Sequence, residues 1–426
     1  MLNGWGMLSD VLYGIVQLLL NPLLYVFALF IYLQYRKQMA IERQLFAVRL
    51  HIPLVQTIRS IGWGLVGGLL VSVIAAALGV VVQVTDIWMT AFLAILLAFF
   101  RLRFLCLAYA AGLLTLLHLV ALLWPQPAQF STVGVVWGWL MEVQPVPLLA
   151  LVALLHLAEA MLVRAVGSRD ASPLFIGGKR GRIIGAYQLQ SFWLTPLLLF
   201  VPTDSSSGVT EALYSGWPLF SSEWSSASFA LLLLPAVTGF SDLTQAMTPR
   251  QKVRESSRVL TWYAILLLGL SYAAVWLPAL VVLAALFAVA GHEALVWYSR
   301  RREQALPPYF IQSSKGIKVM AVIPNTPAEE LGILPGEIIV KVNGISVRDK
   351  EQLYPALQAN PAFCKMEVLT YQQEVKFLQC AVYAGNHHQL GIIVVPDQET
   401  QYYMDIRKLS LVQLLGKQLQ KLKMGA

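Results

Sequence analysis

Residues 316–344 read GIKVMAVIPNTPAEELGILPGEIIVKVNG, and this stretch contains the signals for a strand, a short helix and a second strand in immediate succession. Apolar residues alternate over 317–323 with the period of a half-buried strand. Pro327 follows a turn and stands in the first turn of a helix, where its missing N–H costs nothing. The second strand, 338–342, ends at Asn343-Gly344, two residues that tolerate the positive φ of a hairpin turn. The stretch therefore predicts a small α+β unit.

The order of these elements resembles that of bacterial PDZ domains. The resemblance rests on about thirty residues taken together, and an unrelated α+β domain with the same turn chemistry is the alternative. It implies a module that binds an extended peptide as an added strand, with the backbone amides of a short glycine loop receiving the terminal carboxylate. The core of such a domain is expected to contain five apolar residues: Ile317, Val319, Ile338, Val340 and Leu357.

The carboxylate loop is not found where an unpermuted domain would have it, because residues 307–314, upstream of Gly316, contain no glycine. Downstream, Leu390-Gly391-Ile392 is followed by a strand-like run to Val395. We therefore predict a circularly permuted PDZ domain over residues 303–398. Its predicted peptide-binding residues are Leu390, Gly391, Ile392, Ile393 and Val394, with Lys350 and Tyr354 on the helix that forms the opposite wall.

That helix is predicted to begin at Asp349, and Pro355 inside it leaves its length open. Replacing Gly391 by valine is expected to weaken peptide binding and to leave the fold largely intact. The paired residues His387-His388 are interpreted as turn residues.

Composition places the rest of the chain in a different class. Of the 426 residues, 57% are hydrophobic and 13% are charged, which predicts an integral membrane protein. The net charge is +8, but residues 1–302 contain 19 basic and 12 acidic residues, whereas residues 303–426 contain 12 and 11. The excess base lies between apolar segments, where it sets membrane topology, and does not indicate nucleic-acid binding.

The hydropathy pattern predicts a polytopic α-helical membrane domain over residues 1–302 with about eight or nine spans. The candidate spans are 11–33, 61–83, 87–100, 104–123, 146–163, 188–201, 228–247, 259–276 and 278–298. All 19 basic residues fall on one side of a nine-span arrangement, so the N-terminus is predicted outside the cell and everything after Arg302 in the cytoplasm. Gly64 and Gly68 in the second span predict a close approach of two helices.

Motifs that would carry catalysis are missing. A zinc protease of the H-E-x-x-H type needs a second histidine four residues after His292, and residue 296 is Val296. His118 and His156 lie in other spans, and the three cysteines show no C-x-x-C spacing. No G-x-S-x-G or phosphate-binding loop is present. The sequence therefore predicts no catalytic residue, no metal ligand, no cofactor and no enzymatic activity.

Residues 399–426 form the third predicted unit. Apolar residues recur every three or four positions over 404–424 with basic residues around them, the pattern of a basic amphipathic helix. Such a helix suits the anionic inner face of a membrane or a partner helix, and packing on the PDZ domain is the alternative.

The whole arrangement resembles the MinJ family of cell-division topological determinants of Gram-positive rods. The residues that carry this resemblance are Asn21-Pro22, which interrupt the first span, and the segment H-H-x-L-G-I at 387–392. It implies a scaffold at the septum or poles that links a DivIVA-like marker protein and other division proteins to a MinD-like inhibitor. The expected partners also include the lipid bilayer and further copies of the chain in a homo-oligomer. A transporter, or a PDZ-containing regulator or relative of a membrane protease, are the alternatives.

Overall fold

The structure of the chain is a computed structural model. It describes residues 4–124, 131–178, 181–203, 213–221, 224, 228–360, 362–381, 390–397, 399–400 and 402–404. The predicted C-terminal helix, apart from Met404, and the His387-His388 pair lie outside the described residues. The predicted boundaries between the three domains stay predictions.

The N-terminal two thirds of the chain are mainly helical. The helices are α1 (Gly4–Leu20), α2 (Pro22–Phe46), α3 (Pro53–Leu78), α4 (Val84–Phe100), α5 (Leu107–Leu123), α6 (Ser131–Glu142), α7 (Pro145–Val166), α8 (Pro249–Trp276) and α9 (Leu280–Ala305), with a 3-10 turn at Leu102–Leu105. Four of them begin with proline, whose fixed φ suits a first helical turn.

The described residues contain four helices long and apolar enough to cross a membrane, α3, α7, α8 and α9. A fifth is obtained when α1 and α2, which meet at 61° on either side of Asn21, are counted as one broken span. Asn21 accepts a hydrogen bond from the N–H of Leu23 and so caps α2. The 17-residue helices α4 and α5 are apolar but shorter. The predicted count of eight or nine helical spans is not reproduced.

Two predicted spans, 188–201 and 228–247, are strands, so the prediction of helices there is wrong. The strands of this region are β1 (Ser172–Gly177), β2 (Ile183–Leu194), β3 (Leu197–Thr203), β4 (Ser228–Leu234) and β5 (Val237–Thr244). Hydropathy cannot separate a short apolar helix from a buried strand. Here Pro196 and Pro235 decide, because a proline removes a helical hydrogen bond and forces the preceding residue towards an extended conformation.

Strands β2 and β3 pair with β5 and β4 as one long antiparallel ribbon. Its register runs without a shift from Tyr187 opposite Thr244 to Thr203 opposite Ser228. At its middle Thr195 and Ala236 exchange two hydrogen bonds of 2.8 and 3.2 Å. Beside that pair the two prolines occupy opposed positions, where neither has an N–H to donate. Strand β1 pairs with the first part of β2, so that this end of the ribbon is a three-stranded sheet of order β1-β2-β5.

Helix α3 lies along the edge of the ribbon and supplies the hydrogen bonds that the edge needs. Ser60 Oγ donates to the carbonyl of Phe192, and Ser72 Oγ accepts from the N–H of Leu198 at 2.9 Å. Between these serines, at four-residue intervals, stand Gly64 and Gly68, where an added Cβ would overlap the backbone of Leu194 and Pro196. The two glycines therefore allow a strand to approach α3, and the predicted approach of a second helix at this pair is wrong.

The C-terminal region is an α+β domain with a mainly antiparallel sheet. Its elements are β6 (Ile317–Val322), α10 (Pro327–Glu330), β7 (Ile338–Val342), β8 (Ile345–Ser346), α11 (Lys350–Gln358), β9 (Phe363–Leu369), β10 (Val375–Ala381) and β11 (Ile392–Val394). The strand order is β10-β9-β7-β6-β11, with β8 paired to β7. The last strand in the chain thus lies beside the first strand of the domain.

A β-bulge in β7 changes which residues face the core. Ile339 pairs with Val368 and Lys341 with Glu367, so Val340 is the extra residue on its strand. As a result Ile339 and Val342 are buried in the core, and Val340 is only half-buried. The prediction that Val340 belongs to the core is therefore wrong, because strict alternation does not hold across a bulge.

The two regions are packed together. Tyr187 of β2 and Phe310 pack with Met320, Ile393 and Val395 in one apolar cluster. Tyr187 also donates its hydroxyl to the carbonyl of Met320. The N–H of Gly185 donates to the carbonyl of Phe310 at 2.9 Å. One face of the β6–β11 pair therefore rests on the sheet of the N-terminal region.

Candidate peptide-binding groove

Strand β11 is the end strand of the C-terminal sheet. It pairs with β6 on one side, and no other strand among the described residues pairs with its second side. A strand with an unpaired edge presents N–H and C=O groups that can bond to an added chain. The described part of the chain therefore has one edge of β11 available for pairing.

The backbone directions identify which groups face that open edge. On the β6 side, the carbonyl of Gly391 accepts from the N–H of Ile323 at 2.8 Å, and the N–H of Val395 donates to the carbonyl of Lys318 at 3.1 Å. In an antiparallel pair alternate residues direct both groups to the same neighbour. The N–H and C=O groups of Ile392 and Val394 therefore point to the open edge.

The side chains of β11 are packed against other residues on both faces of the strand. Ile392 and Val394 pack against the core of the C-terminal domain, and Ile393 belongs to the cluster with Tyr187 and Phe310. The predicted peptide-binding contribution of this segment can thus come from its backbone, since its side chains hold the strand in place.

The predicted glycine loop precedes the strand as expected. Leu390 is buried in the core, and its carbonyl accepts from the N–H of Ala328 at 2.9 Å. Gly391 has φ of +84°, a conformation that favours glycine. The N–H groups of Leu390 and Gly391 have no acceptor among the residues that the structure describes.

The structure changes the expectation for Gly391→Val. A Cβ at Gly391 would overlap the side chain of Thr326, whose hydroxyl donates to the carbonyl of Ile323. The substitution would therefore strain the backbone and displace a packed residue as well as alter the loop. It cannot separate peptide binding from folding.

Helix α11 lies on the same core as β11. Asp349 caps it by accepting from the N–H of Gln352 at 2.9 Å, as predicted. Leu353 and Ala356 are buried beside Leu390 in one cluster, whereas Lys350 and Tyr354 are on the exposed face.

Pro355 does not end helix α11, which continues to Gln358. A proline inside a helix removes one intrahelical hydrogen bond, but the carbonyl of Pro355 still accepts from the N–H of Ala359, the C-cap residue. The helix predicted from Asp349 is thus nine residues long.

Lys318 is a charged side chain at the contact between the N-terminal region and the C-terminal domain. Lys318 of β6 donates through Nζ to the carbonyl of Tyr309 at 2.8 Å and lies over that tyrosine ring at 4.6 Å. Burial lowers the pKa of Lys318. This contact orders the linker that leads from α9 to the sheet.

The structure also brings together residues that sequence spacing does not connect. Cys106, His156 and His292 come from three separate segments, and their sulfur and nitrogen atoms lie within 4.8 Å of one another. No motif could have indicated this cluster, because the shortest separation between two of its members is 50 residues.

Comparisons with known proteins agree with this description. Residues 318–369 match the family model of the PDZ domain. The chain is 32% identical over 346 residues to the cell division topological determinant MinJ of Bacillus subtilis (strain 168), an alignment that covers 78% of this chain and 82% of the relative. It is 28% identical over 270 residues to a probable MinJ of Lacticaseibacillus paracasei, covering 61% and 69%.

A shorter similarity links the chain to an enzyme. Mouse serine protease HTRA3 is 44% identical over 54 residues, which is 13% of this chain and 12% of the protease. The longer alignments are to proteins named as division determinants, not as enzymes.

Apolar helices of membrane-spanning length followed by a PDZ domain define the class of protein: a membrane-type protein with a PDZ domain. Within that class, the chain belongs to the MinJ family of cell division topological determinants.

Proposed function

We propose that this protein is a membrane-anchored scaffold of cell division whose PDZ domain binds an extended segment of a partner protein along β11. The observation that carries the proposal is the edge of β11 that no described strand pairs, at which Ile392 and Val394 direct their backbone groups outward. Strand addition gives affinity through main-chain hydrogen bonds. The N–H groups of Leu390 and Gly391, which have no acceptor within the described part of the chain, support a carboxylate loop, and Lys350 and Tyr354 on α11 are proposed as the opposite wall.

The position of β11 supports the proposed circular permutation. The strand of the groove edge comes last in the chain and lies antiparallel beside β6, the first strand of the domain. In this arrangement the loop and the edge strand form one continuous segment, residues 390–394.

The partners follow from the family. A topological determinant of division has to connect a marker of position to the division machinery, so we propose a DivIVA-like pole or septum protein on one side and the MinD-like inhibitor system on the other. The protein acts by binding and has no activity of its own in this proposal. A regulator of a membrane protease is the second candidate, supported by the short similarity to a serine protease.

The proposed topology places the N-terminus outside and the PDZ domain in the cytoplasm. Replacing two predicted helical spans by strands does not change the side on which later segments lie, because the ribbon follows α3 from Ser60 to Ser72 and then returns. Single cysteines at Ser215 and Ser314, both exposed, are expected to react from opposite sides of the membrane. Equal labelling from one side would contradict the topology.

The binding proposal is tested by removing one outward N–H from β11. Val394→Pro deletes a group that faces the open edge and leaves the bonds of Gly391 and Val395 to β6 in place. The matched control is Val375→Pro on β10, the opposite edge strand, where Val375 is 53% exposed.

The readout is capture of purified DivIVA-like and MinD-like proteins by full-length protein in detergent, together with localisation in cells. We expect Val394→Pro to reduce capture of at least one partner by about tenfold, in line with the loss of a backbone hydrogen bond in a groove, and Val375→Pro to bind as wild type. Equal capture by both variants would contradict peptide binding along β11. Capture of a purified membrane protease, offered in the same assay, in place of the division proteins would favour the second candidate.

A further inference from the structure

Three side chains that can ligate a metal converge inside the helical region, at a site separate from the PDZ domain. Cys106 precedes α5, His156 is in the middle of α7 and His292 is on α9. Cys106 Sγ lies 3.2 Å from His156 Nε2 and 3.4 Å from His292 Nε2. We propose that Cys106, His156 and His292 bind one Zn²⁺ ion, which joins these three helical segments.

The distances suit tetrahedral zinc. With zinc–sulfur and zinc–nitrogen bonds of about 2.3 and 2.0 Å, two ligand atoms of a tetrahedral site are separated by roughly 3.5 Å. Both sulfur–nitrogen distances lie close to that value, and all three ligand atoms lie within 4.8 Å of one another. A thiolate with two imidazoles is also a donor set that zinc accepts in proteins.

The hydrogen bonds of His156 prepare it as a ligand. Its Nδ1 lies 2.8 Å from the carbonyl of Val152, and because a carbonyl can only accept, Nδ1 carries the proton. Nε2 therefore has its lone pair directed towards Cys106. A ligating histidine whose second nitrogen donates to a backbone carbonyl is the common arrangement at metal sites.

His292 has fewer hydrogen-bond partners than His156 among the described residues. Its Nδ1 is buried and has no hydrogen-bond partner in the described part of the chain. The ring lies edge-on to those of Tyr109, His156 and Tyr263, which leaves the imidazole surrounded mainly by rings. A metal bound at Nε2 would hold the imidazole at the nitrogen that faces Cys106, and Nδ1 would then carry the proton of the ring.

The neighbouring carboxylate is not a further ligand of the proposed ion. Glu293, which follows His292, is paired to Arg103 at 2.9 Å and accepts from the hydroxyl of Tyr109 at 2.8 Å. It is thus engaged in other bonds. On binding, the Cys106 thiol releases its proton to solvent, the sulfur and the two nitrogens donate their lone pairs to the ion, and no oxidation takes place.

The experiment uses the full-length protein in detergent, purified without affinity metals, with metal content measured by mass spectrometry. We expect about one zinc ion per chain in the wild type. Cys106→Ser and His156→Gln are expected to lower the zinc affinity by at least the roughly 10- to 100-fold that loss of an outer-shell partner costs. His118→Gln is the matched control, because His118 is also buried and also bonds a backbone carbonyl, that of Leu140 at 2.7 Å.

Cobalt provides a second readout that does not depend on the variants folding. Co²⁺ added to metal-depleted wild type should give a thiolate-to-cobalt charge-transfer band and raise the melting temperature, as expected for a ligand that binds only the folded state. Absence of both zinc and the cobalt band in well-folded wild type would overturn the proposal. An unchanged zinc content in Cys106→Ser would do the same.

Discussion

The antiparallel ribbon of the N-terminal region and the sheet of the C-terminal domain each have an edge to which a further strand could pair, and the two edges differ in what covers them. The β2–β3 edge lies against α3, whose serines bond to Phe192 and Leu198 and whose glycines admit the strand backbone. The β11 edge has no such cover among the described residues. A strand in an apolar helical region must satisfy its backbone within the protein, whereas a strand exposed to water can leave it open for a partner.

Glycine has a different role in each of the two regions. Gly64 provides room for a neighbouring backbone, and Gly391 provides a backbone conformation with positive φ. Both are sensitive to substitution, but only the first protects an edge. Variants that disturb one edge at a time can test this distinction.

The largest loss of stability is expected from a substitution that separates α3 from the ribbon edge that it covers. Gly64→Leu would place a side chain in the space that the backbone of Leu194 occupies. The ribbon and α3 could then not both keep their positions. We expect destabilisation of more than about 4 kcal/mol and loss of monodisperse protein in detergent. Gly62→Leu, on the same helix with no atom within 4 Å of an added Cβ, is the control and should remain folded. Equal yields of the two variants would refute the close packing.

The next effect concerns the core beneath the open edge. Ile339→Asp would bury a carboxylate without a partner, and we expect it to unfold the PDZ domain with a loss of about 3 to 5 kcal/mol. Val340→Asp, at the bulge one residue later, should cost much less because Val340 is only half-buried. Limited proteolysis of the full-length protein distinguishes them. The reverse order of sensitivity would contradict the register of β7.

A smaller effect is expected when a single bond to the covered edge is lost. Ser72→Ala leaves the N–H of Leu198 without its acceptor in a buried position, which should cost about 2 kcal/mol. Ser271→Ala is the matched control: Ser271 is also buried and also donates to a carbonyl four residues earlier, that of Leu267, but accepts no bond among the described residues. Thermal unfolding in detergent should separate the two variants, and equal melting temperatures would show that the edge bond is unimportant.

The smallest effect on stability concerns β1, the outer strand of the three-stranded sheet, which lies beside the ion pair of Glu42 and His51. Ser172 at the start of β1 donates to Glu42, and Glu42 also bonds His51 at 2.6 Å. Burial alone would lower the pKa of His51, but the hydrogen bond and charge of Glu42 outweigh it and raise the pKa above 6.5.

The stabilisation from His51 is therefore complete below pH 6.5, the unfolded value, and is lost as the pH rises through the folded pKa. We expect the melting temperature of wild type to fall over this range by more than that of His51→Gln, which cannot titrate. Parallel curves for the two proteins would contradict a charged His51–Glu42 pair.

Much of the PDZ region could be predicted from the chain, because its signals are local. The turn at Asn343-Gly344, the cap at Asp349 and the strand after Gly391 each depend on the conformational preferences of a few adjacent residues. The bulge at Val340 could not be predicted, since it depends on how β7 pairs with β9. Membership of the MinJ family was also predicted correctly, from Asn21-Pro22 and from the segment H-H-x-L-G-I at 387–392.

In the apolar region the sequence by itself determined that long segments would avoid water, and it placed the basic residues between them. Only the tertiary structure decided that residues 187–203 and 228–244 form a ribbon in this region, and that Ser60, Gly64, Gly68 and Ser72 receive it. The physical reason is that hydropathy reports transfer from water, which helices and strands share. The choice between them depends on which neighbour can bond the backbone, and that neighbour lies more than a hundred residues away in the chain.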